Sequence, residues 1–81
     1  MDLLTVKEQL KGFICDNLGV DAEVLNYDSE LFGDEIGLDS IDSIELVSFI
    51  EEQYGISASG VAKEVFTSID TLADWVVANA K

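Results

Sequence analysis

The chain has 81 residues and a mass of 8.8 kDa, which suits one small domain and leaves no room for a second. Apolar residues make up 48%, which excludes a disordered polar tail. With 17 Asp and Glu against 4 basic residues the net charge is −13, a field that repels nucleic acid and anionic membranes and attracts a basic protein surface.

The first predicted element is a helix over residues 4–18. Val6, Leu10, Phe13, Ile14 and Leu18 recur at helical spacing and form one stripe. Thr5 and Glu8 have capping-box spacing, so Thr5 is the expected N-cap. Gly19 falls where a left-handed residue ends a helix. A long connection over 20–39 follows. Its turn formers include Asp21, Asn26, Asp28, Gly33 and Gly37, interleaved with Val24, Leu25, Leu31, Phe32, Ile36 and Leu38. A linker needs no such apolar residues, so they predict an ordered loop pinned to the core. Loops beyond about 12–15 residues in compact domains are usually functional or disordered, and the apolar content argues for function.

A second helix is predicted over 40–54. Asp39, Ser40, Asp42 and Ser43 supply cap and first-turn residues, and Gly55 ends it. Leu46, Phe49, Ile50 and Tyr54 share one face and are expected to pack inward. Ile41, Ile44 and Val47 continue an apolar track round a neighbouring face, part of which is expected to stay exposed for contact with another molecule. Ile56 and Ala58 read as extended, and a short helical turn is predicted over 61–66. A last helix is predicted over 70–80, capped by Thr67, Ser68 or Asp70. Its inner face is set by Leu72, Trp75 and Val76, with Ala73 or Asn79 beside them. The expected fold is an all-α single domain over residues 1–81.

Most catalytic and metal chemistry is excluded. Histidine is absent, and Cys15 is the lone cysteine, so neither an internal disulfide nor a cysteine metal cluster can form. There is no GxSxG, HExxH or GxxxxGK[ST] motif. An EF-hand reading of the loop fails in two registers. With Asn26 first, Leu31 falls where Gly is needed and Gly37 where Glu is needed; with Asp28 first, Phe32 takes a ligand position. Cys15 reads as a small, partly buried helix residue and Trp75 as a core residue. The N-terminus lacks a basic start before an apolar stretch, and no run spans a membrane, so a soluble, cytoplasmic protein is expected; a monomer is expected as well.

The charges are unevenly placed. No basic residue stands between Lys11 and Lys63, while twelve acids do. Asp39, Asp42 and Glu45 lie within one or two turns of each other, where like charges cost a few tenths of a kcal/mol per pair, roughly, in isolated helices. Such a run is either a solvated face or the surface that a basic partner binds. Ser40 likewise has two readings. It is a first-turn serine, or an exposed hydroxyl carrying a phosphodiester that meets the helix dipole and free backbone N–H groups.

The run from Gly37 to Val47, Gly-Leu-Asp-Ser-Ile-Asp-Ser-Ile-Glu-Leu-Val, resembles the attachment motif of acyl carrier proteins. Leu31-Phe32 resembles that family's loop anchor. Residues 51–56 resemble the end of its second helix, and residues 68–76 its last helix. The resemblance covers essentially the whole chain. It implies an antiparallel bundle of three main helices plus a short one. It also implies a 4′-phosphopantetheine arm on Ser40, placed there from coenzyme A by a phosphopantetheinyl transferase, with Leu38, Asp39 and Ile41 beside it.

The resemblance further implies a carrier with no catalytic role of its own. Acyl groups would ride as thioesters on the arm. Acyl-processing enzymes with basic patches, of ketosynthase, acyltransferase, reductase or dehydratase type, would dock on Asp39, Asp42, Ile44, Glu45, Val47, Glu51 and Glu52. Lys63 and Gly60 depart from the acidic segment of housekeeping fatty-acid carriers. The 37–42 and 65–69 runs look more like carriers of specialised lipid or polyketide-type pathways. Two other readings compete: an unmodified acidic module that binds a basic partner, and a divalent-ion binder.

Overall fold

A computed structural model describes residues 2–80. Three α-helices and one short 3-10 helix follow each other in the chain: α1, Leu3–Asn17; α2, Ser40–Tyr54; the 3-10 turn, Lys63–Phe66; and α3, Ile69–Asn79. The all-helical bundle with a long first loop is the architecture the sequence predicts.

Each helix contributes a stripe to one core. Val6, Leu10 and Ile14 come from α1, Leu46 and Ile50 from α2, and Ile69, Leu72, Ala73 and Val76 from α3, all fully buried. Phe13 and Leu18 pack at its edge rather than inside. Phe49 stacks on Phe13 with ring centroids 4.3 Å apart, and the Tyr54 hydroxyl donates to Gln9 Oε1 at 2.8 Å. Earlier residues of α1 thus meet later residues of α2, so the two helices run antiparallel. Burial pushes the Tyr54 hydroxyl above its ordinary pKa. Lys7 Nζ lies 2.9 Å from Asp70 Oδ1, tying α1 to the first turn of α3.

The N-cap of α1 is Asp2, not Thr5. The Asp2 carboxylate accepts from both the Thr5 N–H and the Thr5 hydroxyl, so Thr5 already lies in the first turn. Gly19, at φ +74°, supplies the expected left-handed exit. Ser68 caps α3 in a reciprocal box with Thr71. At the other end Asn79 is exposed and donates to the Trp75 carbonyl, so Ala73 takes the inward position. Trp75 is half-buried against the core rather than inside it.

The first loop is ordered by burial and by backbone bonds. Leu25, Leu31 and Leu38 are buried, whereas Val24 and Phe32 are exposed, so Leu31 alone of the Leu31-Phe32 pair is an anchor. Leu31 N–H donates to the Thr67 carbonyl at 2.9 Å, and Leu38 N–H to the Leu31 carbonyl at 3.1 Å. The Asp70 N–H donates to the Tyr27 carbonyl. These bonds fix the stretch that leads into α2 against the 3-10 turn and the start of α3.

Candidate functional site

Gly37 begins the site. Its φ of +74° is a conformation that side chains resist, and it turns the chain so that Leu38 drops into the core while Asp39 reaches the start of α2. Asp39 is the N-cap. Its Oδ1 accepts from the Ile41 N–H at 3.0 Å and from the Asp42 N–H at 3.1 Å. Asp42 returns the bond, its Oδ2 accepting from the Asp39 N–H at 3.0 Å. Ser43 N–H donates to the Asp39 carbonyl.

Ser40 is the first residue of α2 and its side chain is exposed. The Asp39 cap changes what its surroundings offer. The expected free N–H groups are already taken, and among the described residues only the Ser40 N–H lacks an acceptor in the first turn. Two carboxylates, Asp39 and Asp42, also stand at this helix start.

Beside Ser40 lies a groove of about 500 Å³. One wall is formed by Asp39, Ser40, Ser43 and Val47, the other by Ala58, Gly60 and Val61 with Lys63 and Phe66, and Leu38 and Phe32 complete it. Of the apolar track, Ile41 and Ile44 stand fully proud, each 67% exposed. Val47 is turned inward, half-buried against the core. Glu45 and Glu52 are exposed. Glu51 is engaged: its Oε2 accepts from the Ala58 N–H at 3.0 Å and the Ser59 N–H at 3.3 Å, holding the chain after α2. The structure therefore brings Leu38, Asp39, Ser40 and Val47 to one groove. It places Ile41, Ile44 and Glu45 on the outer face of the same helix.

Cys15 is partly buried on α1, and burial pushes its thiol above the ordinary pKa, keeping it protonated and weakly nucleophilic near neutral pH. Among the described residues no group of three carboxylate or cysteine side chains converges as a metal site. No described helix is long and apolar enough to cross a membrane.

The site suits a bulky phosphodiester-linked arm. The Ser40 hydroxyl is exposed on a rigid first turn, and the groove beside it has room for an extended chain with largely apolar walls. Sequence reasoning missed the groove role of Phe66 and Ala58, which no local pattern marks.

A family model described as the phosphopantetheine attachment site matches residues 8–76. The acyl carrier protein of Solidesulfovibrio magneticus is 43% identical over 56 residues, which cover 69% of this chain and 70% of that protein. The family match runs from within α1 through the first loop and the whole of α2 into α3. The chain belongs to the acyl carrier protein family, and its cofactor is covalently attached 4′-phosphopantetheine.

Proposed function

We propose that Ser40 carries the arm and that residues 1–81 act as a single carrier domain for acyl intermediates. The observation that supports this most is the exposed Ser40 hydroxyl on the first turn of α2, at the mouth of the groove and within the family match. During loading the Ser40 Oγ attacks the pantetheine-side phosphorus of coenzyme A. The Oγ–P bond forms, the bond to the nucleotide leaving group breaks, and the hydroxyl proton passes to a base of the transferase. Asp39 and Asp42 hold the first turn, so the hydroxyl is presented without local rearrangement.

The chain itself supplies no catalytic group; it presents cargo. Partner enzymes of ketosynthase, acyltransferase, reductase or dehydratase type dock on the outer face of α2. Ile41 and Ile44 give apolar contact there and Glu45 and Glu52 give charge, with the capping carboxylates Asp39 and Asp42 adding charge at the helix start. The acyl cargo belongs to fatty-acid, specialised lipid or polyketide-type synthesis in the cytoplasm, with the carrier acting as a monomer.

Intact-protein mass spectrometry tests the attachment site. The folded protein is incubated with coenzyme A, magnesium and a promiscuous phosphopantetheinyl transferase. The wild type gains one phosphopantetheinyl mass, and Ser40→Ala gains none while keeping its helical circular dichroism. No gain by a folded, initially unmodified wild type would overturn the reading and favour the unmodified acidic module.

A further inference from the structure

The start of α2 is a poor place for an anion unless something opposes Asp39 and Asp42. Their carboxylates stand beside Ser40, and the Asp39 cap occupies the Ile41 and Asp42 N–H groups that would otherwise receive a phosphate oxygen. The helix dipole is already answered by the cap. An added phosphodiester there stays solvated, and any protein countercharge for it has to come from outside α2.

Lys63 is placed to supply one. It is the one described basic residue that lines the Ser40 groove, and it does so from the opposite wall, on the 3-10 turn. It also borders a neighbouring hollow of about 300 Å³ that contains Glu30 and Glu64. Yet among the described residues it forms no ion pair, although the chain carries 17 acids. Lys7, by contrast, is paired with Asp70, and Lys7 and Lys11 both lie over the Tyr27 ring, at 5.7 and 5.9 Å from its centroid. An exposed lysine, unpaired among the described residues of so acidic a molecule and lining the same groove as Ser40, is free to meet an anion placed there.

Resting on the Ser40 assignment, we infer that Lys63 binds the phosphodiester of the 4′-phosphopantetheine arm across the α2 groove. This contact folds the arm back along Val47, Val61 and Phe66 instead of leaving it to wave in solvent. The phosphodiester is the arm's one anion when its thiol is free and protonated. The groove walls are otherwise largely apolar, so the contact selects that group and no other part of the arm.

The test compares apo and fully loaded protein by NMR, with loading verified first by intact mass. An unloaded sample reports on the Ser40 assignment; a loaded sample reports on Lys63. In the wild type, loading is expected to shift the Lys63 side-chain Cε–Hε resonance and the amides of Ala58, Val61 and Phe66. High salt should diminish these shifts, as it screens an exposed pair. Lys63→Gln is expected to lose the shifts on the 3-10 side while keeping those at Ile41 and Ser43, next to the attachment point. Lys63→Arg restores them. Unchanged 3-10 shifts in loaded Lys63→Gln would overturn the inference. So would a Lys63 side-chain resonance that does not move on loading the wild type, a measurement that needs no variant to fold.

Discussion

The Asp39 carboxylate accepts two N–H groups of α2 and at the same time puts a negative charge beside Ser40. Two substitutions separate these roles. Asp39→Ala removes both and is expected to cost about 1 kcal/mol, the ordinary worth of an N-cap. For a domain this small that is a fall of roughly 4–8 °C in Tm. Asp39→Asn keeps an acceptor oxygen and removes the charge, so it should retain most of the stability. Thermal melts of the two variants at one salt concentration decide the point. An equal fall in both would show that charge against the helix dipole, not the acceptor geometry, holds the helix start.

At the scale of elements, α2 divides its labour by face. Leu46 and Ile50 hold it to the core, Val47 faces the groove, and Ile41, Ile44 and Glu45 face outward. Glu45 and Glu51 are both acids of this helix, yet they should respond differently to reversal. Glu45→Lys is expected to slow association with a loading transferase at low salt, with little change in Tm. The difference should fade as salt rises, because exposed charges act mainly on the encounter rate. Glu51→Lys is expected to lower Tm, since it removes the acceptor of the Ala58 and Ser59 N–H groups. Stopped-flow association at two salt concentrations, beside a melt, checks both; a Glu45→Lys rate unchanged at low salt would remove Glu45 from the docking face. The ends of α2 were legible in the sequence because Asp39, Ser40, Asp42 and Ser43 mark its start and Gly55 its end, and of the four Asp39 proves to be the cap. The start of α1 was not, because Asp2–Thr5 and Thr5–Glu8 have the same capping spacing, and Asp2 wins by accepting two bonds from Thr5. Phe32 misled for another reason: in a loop no periodicity tells which apolar side chains turn inward. The groove shared by Ser40 and Lys63 was beyond local reading altogether, since the loops that join its two walls leave no repeat in the sequence.

At the scale of the whole molecule, the charge acts as one field. The protein measures 33 × 24 × 20 Å, and of its described basic residues Lys7 and Lys11 share the Tyr27 ring while Lys63 lines the Ser40 groove. α2 carries no base at all. At about 0.01 M salt the screening length is about 30 Å, so nearly every acid feels every other; at about 0.1 M it is about 10 Å, and only neighbours do. Salt also weakens the Lys7–Asp70 pair, whose hydrogen bond holds the Lys7 pKa above its ordinary value. That loss is one partly exposed contact set against the mutual repulsion behind a net charge of −13, so the repulsion decides the sign. Tm is therefore expected to rise with added sodium chloride, most steeply between about 0.01 and 0.1 M, where the screening length falls inside the molecule. Differential scanning calorimetry over that range reads it directly. A Tm that falls instead would mean that local pairs, and not the collective repulsion, set the stability of the bundle. A rise would carry a consequence for docking: a basic partner covering α2 relieves the same repulsion that salt screens, so binding should stabilise the carrier most at low ionic strength.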